Sequence, residues 1–198
     1  MALAAIVAVT DAVVSFYAKN GIAVTRIDGI NSPFRIHFPR SLSAPISLSS
    51  TNPVCRVAGS STTISNKWIF RVHLPIKEQK TAIGWVFQDP PTDQYLTPEY
   101  IKPSSSSSGD SGTEAYISMG GAGFIYPSKQ RASRGYAVTD TIETTLDFSS
   151  NEVSFKVNGQ VVYTATISPH IELAYPTISS DGGEVVAIAS VENSTTSP

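Results

Sequence analysis

Short strand-like runs separated by turn-forming residues constrain the fold of this chain more than any other feature. The runs are rich in β-branched and aromatic residues, and Gly, Pro, Asn and Ser separate them. Beyond residue 20 no segment sustains the apolar repeat of a long helix. The pattern therefore predicts an all-β antiparallel sandwich or barrel. The predicted strands are residues 21–27, 34–38, 68–74, 81–87, 115–119, 141–148, 152–157, 160–167 and 184–191.

The clearest local prediction is a hairpin around Asn158-Gly159. The sequence VSFKV precedes this pair and QVVYTA follows it. Asn and Gly tolerate the positive φ angles that a two-residue type I′ turn requires. We therefore expect two antiparallel strands joined at Asn158-Gly159.

Two acidic residues of TIETTLDF could suggest catalysis, but their spacing disfavours it. Strand alternation places Glu143 and Asp147 on one face, and sends Ile142, Thr144, Leu146 and Phe148 to the other. At about 3.3 Å per residue, the two acidic positions lie roughly 13 Å apart. A retaining glycosidase needs its carboxyl groups about 5.5 Å apart. We interpret both residues as solvated or turn-capping acids.

The composition fits one globular domain and disfavours nucleic acid as a partner. The chain has 198 residues, of which 41% are hydrophobic and 15% charged. The net charge of −2 provides no basic field for a phosphate backbone. No catalytic serine elbow or phosphate-loop motif is present. The sequence predicts a protein that is not an enzyme.

The candidate metal ligands are scattered along the chain. His37, His73 and His170 lie in different segments, and Cys55 is the only cysteine. A single cysteine cannot form an internal disulfide, and we interpret Cys55 as a half-buried packing residue. We predict no metal site and no cofactor.

The first 20 residues form an N-terminal extension that the sequence leaves open between a helix and an edge strand. Residues 2–9 are apolar, but Asp11 and Lys19 interrupt the run before it could span a bilayer. No membrane-spanning segment is predicted. The initial Met1 and the absence of a basic flank favour a cytoplasmic protein over a secreted one.

Polar low-complexity segments divide the chain further. Residues 102–112 (KPSSSSSGDSG) predict a flexible surface loop, and residues 192–198 predict a disordered tail. One domain is therefore expected over residues 21–191. The N-glycosylation sequon at Asn193 is a three-residue match, and matches this short often arise by chance. Residues 89–103 contain four prolines and two tyrosines and predict an ordered, irregular loop.

Several motifs in order resemble the SPRY domain, the core of B30.2 domains. NKWIFRVHL and TAIGWVFQ are similar to its tryptophan-containing strand and its Ile-Gly strand. AYISMGGAGFIYPS resembles its glycine turn, and DTIETTLDF resembles its Asp-x-Ile and Leu-Asp-Leu strand. The Asn-Gly hairpin and LAYPTISSDGGEVVAI follow as the closing motifs. The resemblance covers roughly residues 55–190.

The resemblance implies a bent, concanavalin A-like sandwich of two antiparallel sheets whose loops present a surface to a protein or peptide. The candidate loops are residues 59–66, 89–103 and 128–135. Large aromatic and arginine side chains are common at interaction hot spots. The candidate ligand-binding residues are Tyr95, Tyr100, Arg131, Arg134, Thr62 and Asn66.

Three functions remain open at this point. The first is a non-enzymatic protein- or peptide-binding module, such as an adaptor. The second is a lectin-like sandwich that binds carbohydrate through tyrosine and tryptophan side chains. The third is a structural or receptor-binding domain of a larger assembly, such as a viral surface protein, which Ser/Thr richness and low charge suggest.

Overall fold

The computed structural model describes residues 14–28, 33–42, 45–58, 65–97 and 115–194, and over these ranges every regular element is a strand. The prediction of an all-β fold is confirmed. The strands are β1 (Ala23–Arg26), β2 (Phe34–Phe38), β3 (Ile46–Ser49), β4 (Val54–Cys55), β5 (Lys67–Lys77), β6 (Thr81–Val86), β7 (Tyr116–Gly120), β8 (Phe124–Tyr126), β9 (Gln130–Arg131), β10 (Thr141–Asp147), β11 (Glu152–Val157), β12 (Gln160–Thr166), β13 (Leu173–Ser180) and β14 (Val185–Asn193).

The strands form two antiparallel sheets. The first sheet has the order β1-β2-β14-β5-β10-β11-β12, and the second has the order β3-β13-β6-β7-β8-β9, with β4 paired to β13. Neighbours in both sheets pair antiparallel. This is the predicted two-sheet sandwich, and β12 and β9 lie at edges of their sheets.

The hairpin prediction is confirmed in detail. Asn158 and Gly159 have φ angles of 51° and 82°, and they connect β11 to β12. Both values lie in the left-handed region that a type I′ turn uses. A register shift between Phe155 and Lys156 marks a bulge in this pair.

Strand β13 is not among the predicted strands, and it contains Pro176. Proline lacks an N–H and normally avoids central strands. On one side Pro176 pairs with Trp85 of β6, and on the other it lies just beyond the last residue of β3. There the Ser50 N–H donates to the Pro176 carbonyl at 3.0 Å, so the side of Pro176 that lacks an N–H faces Ser50, one residue past the end of β3.

An aromatic cluster lies at the centre of the sandwich. The rings of Phe70 and Trp85 meet edge to face with centroids 6.0 Å apart, and Phe16 stacks on Phe70 at 6.1 Å. The Trp85 indole N–H donates to Thr144 Oγ1 at 2.8 Å and so links β6 to β10 of the facing sheet. Trp85 is fully buried, whereas Trp68 is half-buried.

A smaller cluster covers the outer face of the second sheet. Residues 88–97, which we call the strap, cross this face and place Leu96 against it. Buried serines hold the strap, because Ser47 Oγ donates to the Gln94 carbonyl at 2.8 Å and Ser118 Oγ to the Leu96 carbonyl at 3.0 Å. The buried members of the cluster are Ala82, Val86, Tyr95, Leu96, Tyr116 and Tyr175.

The two ends of the described chain are integrated into the sheets. Val14, Ser15 and Phe16 are buried, and residues 14–20 contain no helix; the rest of the predicted extension lies outside the described residues. Strand β14 continues to Asn193, two residues into the predicted tail. There Asn193 Nδ2 donates to the Ser65 carbonyl at 2.6 Å, so the sequon amide is occupied by a structural contact. None of the described segments is a helix with the length and hydropathy to cross a bilayer.

Candidate binding site at the open edge of the sandwich

A pocket of about 570 Å³ lies where the edge of the first sheet meets the edge of the second. Strand β12 forms one side, and β7, β8 and the turn into β9 form the other. We call this the edge pocket. Its lining residues are Ile117, Ile125, Tyr126, Pro127, Ser128, Gln130, Tyr163, Thr164, Ala165 and Thr166.

Strand alternation explains which β12 side chains enter the pocket. Tyr163 and Ala165 pair with Phe155 and Val153 of β11, both of which are buried in the core. Paired residues point to the same face of a sheet. Tyr163 and Ala165 therefore face the second sheet and are half-buried.

The opposite wall comes from the turn between β8 and β9. Ile125 is buried beneath it, and Ser128 and Gln130 belong to the turn and the strand that follows. The Tyr163 hydroxyl hydrogen bonds to Gln130 Oε1 across the pocket. The two walls are thus connected at the side chains that line the opening.

The lining contains hydroxyl, amide, aromatic and aliphatic groups and no charged side chain. An uncharged pocket disfavours a charged ligand group, because such a group would lose hydration without gaining a partner. Tyr126 and Tyr163 provide aromatic surface with a polar tip, the composition of many binding sites.

The two predicted arginines lie beside the edge pocket but do not line it. The Arg131 guanidinium stacks over the Phe124 ring at 4.4 Å. Arg134 Nη2 donates to Asp140 Oδ2 at 3.3 Å. Within the predicted loop 128–135, it is Ser128 and Gln130 that reach the pocket. Arg131 and Arg134 are both exposed.

The other predicted site residues do not gather at this pocket. The prediction of Tyr95 as a surface binding residue is wrong. The strap turns its side chain into the outer cluster, where it is only 5% exposed. Asn66 has a structural role: its Nδ2 donates to the Val57 carbonyl at 3.1 Å and its Oδ1 accepts from the Val57 N–H. Thr62 and Tyr100 lie outside the described residues.

Sequence reasoning missed Tyr163, Thr164 and Thr166 as site residues. All three belong to the confirmed hairpin, for which the sequence predicts strands but no ligand contact. A signal was present, since QVVYTAT lacks the lysines and prolines that usually protect an edge strand.

The acidic residues considered for catalysis are structural. Glu143 accepts hydrogen bonds from Arg71 Nε and Lys156 Nζ, each at 2.7 Å. Asp147 Oδ1 accepts from the Ser149 N–H at 2.9 Å and caps the following turn. Burial alone would raise the pKa of Glu143, but the hydrogen bonds and charges of Lys156 and Arg71 lower it overall.

We expect Glu143→Gln to reduce the stability of the protein by about 1 kcal/mol at neutral pH, the scale of a partly exposed ion-pair network. The lowered pKa means that ionised Glu143 favours the folded state. Its contribution is complete above the unfolded pKa and disappears as pH falls through the folded pKa. The difference from wild type should therefore vanish in acid, as measured by urea unfolding at several pH values.

The control for this prediction is Glu152→Gln, at an exposed position of β11 that makes no ion pair with any described residue. This variant should unfold like wild type throughout. Equal losses for Glu143→Gln and Glu152→Gln would contradict the ion-pair explanation.

The described residues contain no group of three or more His, Cys, Asp or Glu side chains placed to hold a metal ion. Cys55 is exposed on β4 rather than half-buried as predicted, because only its neighbour Val54 points into the core.

Comparison with solved structures identifies the architecture. A human SPRY domain superimposes with a TM-score of 0.55 and 11% identity, over 84% of this chain and 94% of that chain. The TRIM65 PSpry domain gives a TM-score of 0.53 and 11% identity, over 88% and 89%. A sialidase matches with a TM-score of 0.50 and 12% identity, over 91% of this chain and 17% of that one.

Sequence comparison adds no relative: neither a family model nor a curated protein matches this chain. The structural matches nevertheless show that the fold is that of a SPRY domain, as the motifs predicted. The chain is a SPRY-like β-sandwich with a pocket between its two sheet edges.

Proposed function

We propose that this protein is a non-enzymatic module that binds a protein or peptide at the edge pocket. The observation that carries the proposal is the uncharged, tyrosine-lined opening between β12 and the β8–β9 turn. Such a pocket can accept an apolar or aromatic anchor of a partner, and the hydroxyl and amide groups around it can orient that anchor. The exposed Arg131 and Arg134, in the segment that follows Gln130, would supply polar contacts outside the pocket.

The SPRY-like fold supports this proposal by analogy, because members of that family typically recognise partners without chemistry. Glu143 is ion-paired and Asp147 caps a turn, so these two acids do not form a carboxylate pair poised for hydrolysis. We further propose an adaptor role in the cytoplasm, in which the domain recruits a partner to a complex.

Replacing Tyr163 by Ala should weaken peptide binding by about tenfold or more, because hot-spot tyrosines contribute about 2 kcal/mol. Peptides selected from a displayed random library on the wild-type protein would provide the probe, with affinities measured by titration calorimetry. The matched control is Tyr17→Ala, since Tyr17 is 64% exposed and does not line the pocket.

Circular dichroism would verify that both variants fold, because Tyr163 also packs against the core. Equal binding by Tyr163→Ala and Tyr17→Ala would show that the ligand docks elsewhere. A failure to select any saturable peptide would reject the proposed function itself.

Carbohydrate is the second candidate ligand. Tyrosine rings beside Gln130, Ser128 and threonine hydroxyls could stack on and hydrogen bond to an uncharged sugar, and a segment of a sialidase shares the fold. A glycan array separates the two proposals. Glycan binding that Tyr163→Ala abolishes, without any peptide ligand, would replace the peptide proposal.

A further inference from the structure

The outer edge of β12 exposes backbone groups that could pair with another strand. The Ile167 N–H donates to the Asn151 carbonyl at 2.8 Å, so the backbone N–H and C=O groups of Ile167 point toward β11. Along a strand, the N–H and C=O groups of successive residues point alternately to one side and to the other. The N–H and C=O groups of Thr164 and Thr166 therefore face away from β11.

Only part of this edge is occupied within the described chain. The Ser133 N–H donates to the Val162 carbonyl at 3.0 Å, which closes one end of the edge. Among the described residues, β12 pairs with β11 alone, and no other backbone group bonds to its outer side. The unoccupied part of the edge is at Thr164 and Thr166.

The free part of the edge borders the edge pocket. Thr164 and Thr166 are exposed, yet they line the pocket together with the inward-facing Tyr163 and Ala165. The opening therefore runs along the strand edge. Natural edge strands usually carry charges, prolines or covering loops, and β12 has neither a charge nor a proline.

We propose that β12 accepts an extended peptide as an additional strand, which pairs with the backbone of Thr164 and Thr166 and places one uncharged side chain in the edge pocket. This proposal rests on the proposed function and specifies how the partner binds. Main-chain hydrogen bonds would provide affinity, and the pocket would select the side chain.

The Ser133 contact limits the length of the free edge, because it occupies the outward carbonyl of Val162. The outward backbone groups that stay free on this part of β12 are those of Thr164 and Thr166. At about 3.3 Å per residue, the free stretch fits a peptide of a few residues.

The pocket also restricts the peptide's side chain. In an added strand, alternate side chains face opposite sides of the sheet, so only every second one points toward the second sheet. The groups that it meets there are those of Ile117, Ile125 and Tyr126. A leucine, phenylalanine or other uncharged residue fits this surface, whereas Lys, Arg, Asp or Glu would lose hydration without a partner.

Thr164→Pro tests the strand pairing directly. Proline removes the outward N–H, and β11 makes no use of that donor, so the variant should fold. Binding of a library-selected peptide should fall by about ten- to a hundredfold, because a donor is lost and the proline ring blocks the edge. Thr164→Ala is the matched control: it removes the same side-chain hydroxyl but keeps the outward N–H, so it should lose much less affinity than Thr164→Pro.

Amide hydrogen exchange on the wild-type protein gives a second test that needs no variant. The selected peptide should slow exchange at Thr164 and Thr166, while the amides of Tyr163 and Ala165, which face β11, should change little. A peptide with an N-methylated backbone should lose this protection together with its affinity.

The outcomes separate this proposal from the function on which it rests. Selected peptides that bind Thr164→Pro as tightly as wild type, or that leave the Thr164 and Thr166 amides unprotected, would overturn strand addition while leaving peptide binding intact. A dimer in solution that Thr164→Pro dissociates would make a second copy the occupant instead. The absence of any peptide ligand would overturn both proposals.

Discussion

Replacing Gly84 by Ala should unfold the protein or lower its free energy of unfolding by at least about 4 kcal/mol, the range of the most damaging single substitutions. A Cβ at Gly84 would lie 2.0 Å from the Ile117 carbonyl oxygen and 2.6 Å from Ser118 Cα. Both atoms belong to the backbone of β7, so relief requires β6 and β7 to separate. Urea unfolding followed by circular dichroism measures the loss.

The control is Gly159→Ala in the β11–β12 turn. Gly159 has a φ of 82° and no atom within 4 Å of an added Cβ, so only backbone strain of about 1–2 kcal/mol is expected. If Gly84→Ala cost no more than Gly159→Ala, the close approach of β6 and β7 would be contradicted.

Replacing Trp85 by Ala should cost about 3–5 kcal/mol, the range for a buried aromatic side chain. The substitution leaves a cavity beside Phe70 and removes the donor to Thr144. Because the two sheets meet at this side chain, its removal should also make the unfolding of the whole sandwich less cooperative. Thermal and urea unfolding by circular dichroism would quantify it.

Two variants divide this effect into its parts. Thr144→Val keeps the shape of the core but leaves the indole N–H unsatisfied, which should cost about 1–3 kcal/mol. Trp68→Ala removes a half-buried indole and should cost less than Trp85→Ala. Equal effects of the two tryptophan variants would show that Trp85 is not the central contact between the sheets.

Local rules were sufficient for the parts of the fold that neighbouring residues control. The Asn158-Gly159 turn fixed the β11–β12 pair, and alternation correctly assigned Ile142, Thr144 and Leu146 to the buried face of β10. These features depend on backbone sterics and on the two-residue repeat of a strand, and both can be inferred from consecutive residues.

Local rules failed where a distant segment decides the environment. Pro176 is tolerated in β13 only because β3 ends beside it. Tyr95 lies in a loop that was predicted to expose it, but buried serines of β3 and β7 hold the strap against the second sheet and turn the ring inward. Neither position can be inferred from its own sequence neighbours.

The short runs of β-branched and aromatic residues by themselves determined that this protein has an all-β antiparallel fold, either a sandwich or a barrel, because hydrophobic alternation and turn chemistry act between near neighbours. Only the tertiary structure decided where a ligand could bind. The edge pocket joins Ile117 and Ser128 to Tyr163 and Thr166, which meet because both sheets end at the same side of the sandwich. That meeting is set by sheet order and packing, which no single stretch of the sequence encodes.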